Sequence, residues 1–232
     1  MSHSCSSKKK LHMKLQELGS FSNPKQCLEQ YPTSAHVASN ILIVLMPCIG
    51  DILFDIQTRY DALEGKVVGD LGCGPGILAM GAHLLGASFV IGFDIDEDAI
   101  TDFQGNLEDN FLPESGNTMS LVLCDVTMLS PPKIKPFDTI ITNPPFGTSD
   151  QSKGIDVKFL KVALSMTREH VYSLHKTTTR EHIVKTVKDF GANCDVIAEL
   201  RFDIPKLYKK HRQASKDIAV DLVHSWFEEG TA

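Results

Sequence analysis

The chain has 232 residues, 42% hydrophobic and 22% charged, with a net charge of −6. That length and apolar content exclude a disulfide-stapled miniprotein and a disordered chain, and the acidic total argues against a protein that coats nucleic acid indiscriminately. Six scattered cysteines with no C-x-x-C pair leave no zinc motif, and the longest apolar run, Ile41 to Ile49, is too short to span a membrane, so a soluble intracellular protein with reduced thiols and no metal is expected.

In chain order, residues 1–10 read as a mobile polar tail, 11–227 as one domain that begins with helices, and 228–232 as a second short tail. Helical spacing runs from Leu11 to Leu18. A second helix, capped by Thr33 or Ser34 and ended by Pro47, carries Val37, Ile41, Val44 and Leu45, and a third runs from Ile52 to Leu63. The pattern then changes to short runs rich in β-branched and aromatic residues: Val67 to Leu71, Phe89 to Phe93, Ser120 to Cys124 and Phe137 to Thr142. Helical segments Ile77 to Leu85 and Glu97 to Asn110 separate the first three, which predicts parallel pairing with right-handed crossovers. Helices Phe159 to Met166 and Glu181 to Phe190 flank a strand at Val171 to Leu174. Two alternating segments, Val196 to Phe202 and Ile218 to Phe227, have no helix between them and are expected to pair antiparallel. The fold class is α/β: a parallel sheet closed by an antiparallel C-terminal hairpin, with helices on both faces.

The first strand leads into Asp70-Leu71-Gly72-Cys73-Gly74-Pro75-Gly76, which opens a helix, and Asp94 ends the second strand. Glycines let a backbone turn tightly and approach a ligand, while a carboxylate at the next strand tip can accept both ribose hydroxyls. A pyrophosphate loop needs a small residue three beyond its second glycine, and Ile77 stands there, so a nicotinamide dinucleotide is disfavoured. Asp125 and Val126 end the third strand beside the same crevice, where an adenine would sit. S-adenosylmethionine meets these requirements. Its candidate contacts are Asp70, Gly72, Gly74, Pro75, Ile77, Asp94, Ile95, Asp125, Val126 and Asn143. Asp70 either meets the cofactor's amino group or caps the loop by accepting backbone N–H groups, and the sequence leaves both roles open.

Asn143-Pro144-Pro145-Phe146 ends the fourth strand, at the carboxyl edge where open α/β sheets hold ligands. Two prolines fix the backbone and remove two donors, so the loop presents acceptors. An amino group conjugated to a ring is a poor nucleophile. The Asn143 side-chain oxygen and the Pro144 carbonyl can hold its two hydrogens and turn its lone pair toward a methyl group, while Phe146 stacks on the flipped base. No general base is needed, because the amine becomes acidic once methylated; His36, His175 and His182 read as structural or surface residues.

The chain resembles the adenine-N6 and amide-N methyltransferases of the seven-stranded, Rossmann-like class I fold. Within them, Glu29-Gln30-Tyr31-Pro32-Thr33, Gly92 to Asp98, Asn143 to Thr148 and Tyr172-Ser173-Leu174-His175-Lys176 resemble the eukaryotic small-subunit ribosomal RNA adenosine-N6 methyltransferases, from about Leu15 to Phe227. The resemblance implies N6-methylation of one adenosine in that RNA, with Gln30 and Thr33 closing over the cofactor. It also implies a small zinc-binding activator protein as partner and a nuclear, nucleolar and cytoplasmic location.

Lys206, Lys209, Lys210, Arg212 and Lys216 fall within eleven residues that contain no acid, so that stretch carries +5 and the rest of the chain −11. With Arg201 before it and Tyr208 inside it, the stretch reads as an RNA contact. Ser120 to Cys124 should be an outermost strand; no proline or lysine interrupts it, and such an edge invites a strand from another chain. Two rival readings stand beside the RNA methyltransferase: a protein glutamine-amide methyltransferase, since the tetrad serves an amide equally, and a non-catalytic RNA-binding subunit, whose motifs would be expected to be broken.

Overall fold

The computed structural model describes residues 8–30, 49–110, 118–147, 152–205 and 215–228. Seven strands form one sheet: β1 (Val67–Leu71), β2 (Phe89–Asp94), β3 (Met119–Leu123), β4 (Phe137–Thr142), β5 (Thr167–Lys176), β6 (Asn193–Pro205) and β7 (Ser215–Trp226). Their order is β3-β2-β1-β4-β5-β7-β6. The first five are parallel, and β7 runs antiparallel to both β5 and β6, as the hairpin reading requires.

Helices cover both faces. Four pack on one side: α1 (Lys8–Gln16), α2 (residues 49–60), α3 (Ile77–Leu84) and α4 (Glu97–Asn110); α5 (Ile155–Met166) and α6 (Arg180–Asp189) pack on the other. Helix α1 starts at Lys8, ahead of the expected Leu11, because Leu11 and Leu15 are fully buried and hold the helix that the lysines extend. Helix α2 stops at residue 60, short of Leu63. Asp61 turns to φ +50, and the Gln57 side-chain oxygen accepts the N–H groups of Leu63 and Glu64 at 2.9 and 2.8 Å. The helix expected between Thr33 and Pro47 lies outside the described residues.

Glycines set the close approaches. A Cβ on Gly81 of α3 would lie 2.3 Å from Leu53 of α2, so only glycine lets these helices meet. The Phe103 ring of α4 fills the space above both Gly76 and Gly92, where added Cβ atoms would lie 2.4 and 2.8 Å from it. Truncating a fully buried phenylalanine of this kind costs roughly 3 to 5 kcal/mol, so packing explains Gly92, while Gly76 is required both by packing and by its φ of +93.

The strands outrun the apolar stretches that signal them. Lys176, last in β5, pairs with Val220, yet β6 and β7 continue pairing to Pro205 and Ser215, roughly 16 Å further at about 3.3 Å per residue. The β6–β7 pair therefore extends well beyond the edge where β1, β2 and β4 end. At the other border of the sheet, Thr118 O accepts from Val90 N and Cys124 N donates to Asp94 O. Backbone groups alternate along a strand, so Ser120 and Val122 face β2 while those of Met119, Leu121 and Leu123 face outward.

Candidate active site

Three strand ends converge above the sheet. Gly72, Gly74 and Gly76 take φ of +73, +52 and +93, conformations that disfavour side chains, and bend the chain from β1 into α3. Asp94 Oδ2 accepts Gly74 N at 2.9 Å and Oδ1 accepts Asp96 N at 2.9 Å, so the second tip holds the glycine loop. Burial raises the Asp94 carboxyl above its ordinary value, against these backbone hydrogen bonds. Ile95, next in the chain, leaves about half of its apolar side chain exposed at the same tip.

Asp70 performs one of its two open roles visibly. Its Oδ2 accepts Ala79 N at 3.0 Å in the first turn of α3, while Oδ1 is buried with no hydrogen-bond partner. Burial pushes this carboxyl up to about 8, and Asp94 adds to the effect. A fully buried acceptor without a donor beside a glycine loop fits a ligand that brings its own cation or N–H. Asp125 is committed at the third tip: Oδ1 accepts both Thr127 N (2.8 Å) and Thr127 Oγ1 (2.7 Å). Val126 is buried, Pro75 is buried with its carbonyl accepting Asn106 Nδ2 at 2.9 Å, and Ile77 is half-buried.

Thr142, last in β4, donates its hydroxyl to Leu71 O at the end of β1 at 2.7 Å, so the tetrad leaves the sheet stapled to the glycine loop. Asn143 is exposed, and its side chain makes no hydrogen bond among the described residues. Pro144 is buried, Pro145 is half-buried, and half-buried Phe146 packs against the core. Gly147 ends the loop at φ +66, its carbonyl 3.5 Å from Lys176 Nζ. His175 is fully buried, its Nδ1 3.2 Å from Asp156 Oδ2 of α5 and its Nε2 3.0 Å from Ser173 Oγ; His182 is exposed and His36 lies outside the described residues.

Residues 19–30 form a strap across this end of the sheet that sequence reasoning missed. Gly19 N donates to Asn106 Oδ1 at 2.6 Å, a Cβ on Gly74 would lie 2.8 Å from the Phe21 ring, and Ser22 N donates to Asp102 Oδ2 at 2.9 Å. Lys25 pairs with Asp96 and with Asp98. Gln30 is buried with its amide spent on protein: Nε2 donates to Asp96 Oδ2 at 2.8 Å and Oε1 accepts Lys25 N at 2.8 Å. Burial would raise Asp96, but Lys25 and Gln30 outweigh it and hold its carboxyl below the ordinary value. Gln30 thus acts through Asp96, and Ser152 Oγ donates to Glu29 Oε1 at 2.8 Å on the far side of the crevice. Polar side chains in a turn-rich segment carry no signal of which distant acids they will meet; the neighbouring acids Asp96 and Asp98 were the available hint. Thr33 lies outside the described residues.

Of the basic residues, Arg201 is exposed on β6 opposite Ala219, and Lys216 lies in β7 opposite Ile204. Lys206, Lys209, Lys210 and Arg212 lie outside the described residues.

The family model of ribosomal protein L11 methyltransferase matches residues 53–144, which include the glycine loop and the ends of β1 to β4. An rRNA N6-adenosine-methyltransferase of Danio rerio is 46% identical over 215 residues, covering 93% of this chain and 96% of that protein. The corresponding Drosophila melanogaster enzyme is 44% identical over 225 residues, covering 96% and 97%. Among solved structures, a candidate RNA methyltransferase of Pyrococcus horikoshii superposes with a TM-score of 0.76 at 30% identity, covering 97% of this chain and 98% of that one. A magnesium protoporphyrin IX methyltransferase of Synechocystis with bound S-adenosylmethionine shares the fold at a TM-score of 0.63 and 16% identity, covering 87% and 88%.

Proposed function

The chain belongs to the rRNA N6-adenosine-methyltransferase family, and on that premise we propose that it methylates N6 of one adenosine in small-subunit ribosomal RNA at the Asn143-to-Phe146 loop. The enzyme class and the fold follow from full-length relatives. The loop's role, the subunit and the partner are our reading.

The cofactor, S-adenosylmethionine, would lie across Gly72, Gly74 and Asp94, with its amino group toward Asp70 and its adenine between Ile95 and Val126. Bound there, it supplies an electrophilic methyl group on sulfur. The chain's own residues position the acceptor. Asn143 Oδ1 and the Pro144 carbonyl accept the two N6 hydrogens, which directs the nitrogen lone pair across the crevice, and the Phe146 face stacks on the flipped base. Because Thr142 ties the tetrad to Leu71, donor and acceptor loops share one rigid base. No side chain need remove a proton before transfer, in keeping with His175 being engaged by Asp156 and Ser173.

The observation that carries this reading is an exposed Asn143 with no competing hydrogen bond among the described residues, at a strand end stapled to the glycine loop. The L11 match favours a protein acceptor, yet it covers only residues 53–144. The run of +5 in sequence between the ends of β6 and β7 supports RNA. The small-subunit assignment, the zinc-binding activator and a nuclear, nucleolar and cytoplasmic residence rest on the resemblance of the motifs. Mapping N6-methyladenosine in both ribosomal RNAs from cells lacking the protein tests the substrate: one small-subunit adenosine is expected to go unmethylated, and an unchanged map refutes it. On that site, Asn143→Ala should lower methyl transfer a hundredfold or more, about 2.7 kcal/mol of barrier, with cofactor binding retained. Full turnover would reduce the tetrad to a turn.

A further inference from the structure

The cations at the carboxyl edge of the sheet differ in one respect. Lys25 is neutralised by Asp96 and Asp98. Arg180 is neutralised by Glu199 and by the fully buried Asp221, which accepts from its Nε and Nη2 at 2.7 Å each. Lys176 is half-buried, and no carboxylate among the described residues reaches its ammonium, whose one hydrogen bond there is the long 3.5 Å contact to Gly147 O. In a chain of net charge −6, a half-buried cation left without an acid points to an anion from outside.

Its position is fixed from both sides. His175, just before it, is buried against Asp156 and Ser173. Thr177, just after it, donates its hydroxyl to Asp221 at 2.8 Å, and Thr179 Oγ1 donates to Lys176 O at 2.8 Å. In the sheet, β5 lies between β4, which ends in the tetrad, and the antiparallel pair β7–β6, whose chain is joined by the basic run of the sequence. A strand of RNA passing from the hairpin to the tetrad must cross the end of β5.

We propose that Lys176 binds the phosphate adjoining the target adenosine, holding the backbone while the base enters the Asn143 loop. A lysine ammonium suits this as a compact charge with three donors, and phosphate contacts set register without reading sequence. The inference rests on the tetrad reading above and adds a substrate-binding residue to it.

The test follows binding of a synthetic rRNA fragment, centred on the mapped adenosine, to Lys176→Gln and Lys176→Arg across salt concentrations, with calorimetry of S-adenosylmethionine in parallel. Lys176→Gln should weaken RNA binding about tenfold and lower the log-log salt slope by about 0.7, Lys176→Arg should restore both, and cofactor affinity should stay constant. An unmoved slope overturns the proposal. So does a drop in cofactor affinity with the slope intact, which would give the charge to the cofactor's carboxylate. If Lys176→Gln melts early, acetylation of the wild-type protein decides: protection of Lys176 by the fragment but not by cofactor alone is expected, and equal labelling with and without RNA refutes it. Asn143→Ala on the same fragment separates the two readings. Retained turnover removes the tetrad, whereas abolished turnover there, together with an unmoved slope for Lys176→Gln, removes the phosphate anchor alone.

Discussion

Asp70 and Asp94 share one crevice and differ in what they lack. Asp94 has a backbone N–H on each oxygen and spare lone pairs, so its carboxyl group is held in position before a ligand arrives. Asp94→Ala should weaken S-adenosylmethionine at least tenfold by calorimetry while the variant stays folded; equal affinity would remove the ribose assignment. Asp70 has one unpartnered oxygen, and burial lifts its carboxyl to about 8, from 3.8 in the unfolded chain. The native state therefore holds a proton that the unfolded state releases, so this residue's contribution to stability is full below about pH 4 and is lost as the pH rises through 8. A cation bound at Oδ1 reverses the preference. Binding at pH 7 should release protons, and affinity should rise with pH toward 8. Binding enthalpies that are identical in buffers of different ionisation heat would show that Asp70 does not charge. At this scale the sequence was legible wherever chemistry is local: the glycine loop, the two tip acids and the tetrad stand where their residue types require. The spending of Gln30 on Asp96 was not legible, because it depends on a contact 66 residues apart.

Among the elements, β3 carries the clearest consequence. Its residues Val122 and Leu123 are exposed, and the outward backbone groups belong to Met119, Leu121 and Leu123. A partner that adds a strand here would use Leu121 N–H, whereas Val122 N–H serves β2. Leu121→Pro should abolish complex formation with the proposed zinc-binding activator in size-exclusion chromatography while leaving the β2 ladder intact; Val122→Pro should instead lower the melting temperature of the enzyme itself. A complex that tolerates Leu121→Pro, or a monodisperse active enzyme without any partner, would refute edge pairing. The alternation of backbone groups that separates these variants cannot be read from side chains, whereas the strand itself could. The same holds for length: apolar runs marked β5, β6 and β7, but their polar ends, such as Thr167 and Lys176, join the ladder only because a neighbour is already there.

For the whole molecule, charge is uneven along the sequence: residues 206–216 carry +5 and the rest of the chain −11. Reversing Lys209, Lys210 and Arg212 to glutamate should weaken RNA binding and flatten its salt dependence by roughly 0.7 for each phosphate no longer held, with cofactor affinity constant; an unaltered slope would send the RNA to another face. The sheet order also governs how the molecule comes into being. Strand β7 is the last of the seven in the chain, yet it lies between β5 and β6, and among the described residues β6 pairs with no other strand. During synthesis β5 therefore waits with an open edge and β6 waits without a partner until residues 215–226 leave the ribosome and slide between them. The cofactor half, β1 to β4, can close earlier. A ribosome that stalls or stops between β6 and β7 would release a chain with an assembled crevice and two unpaired strands, the kind of species that chaperones capture and that otherwise aggregates.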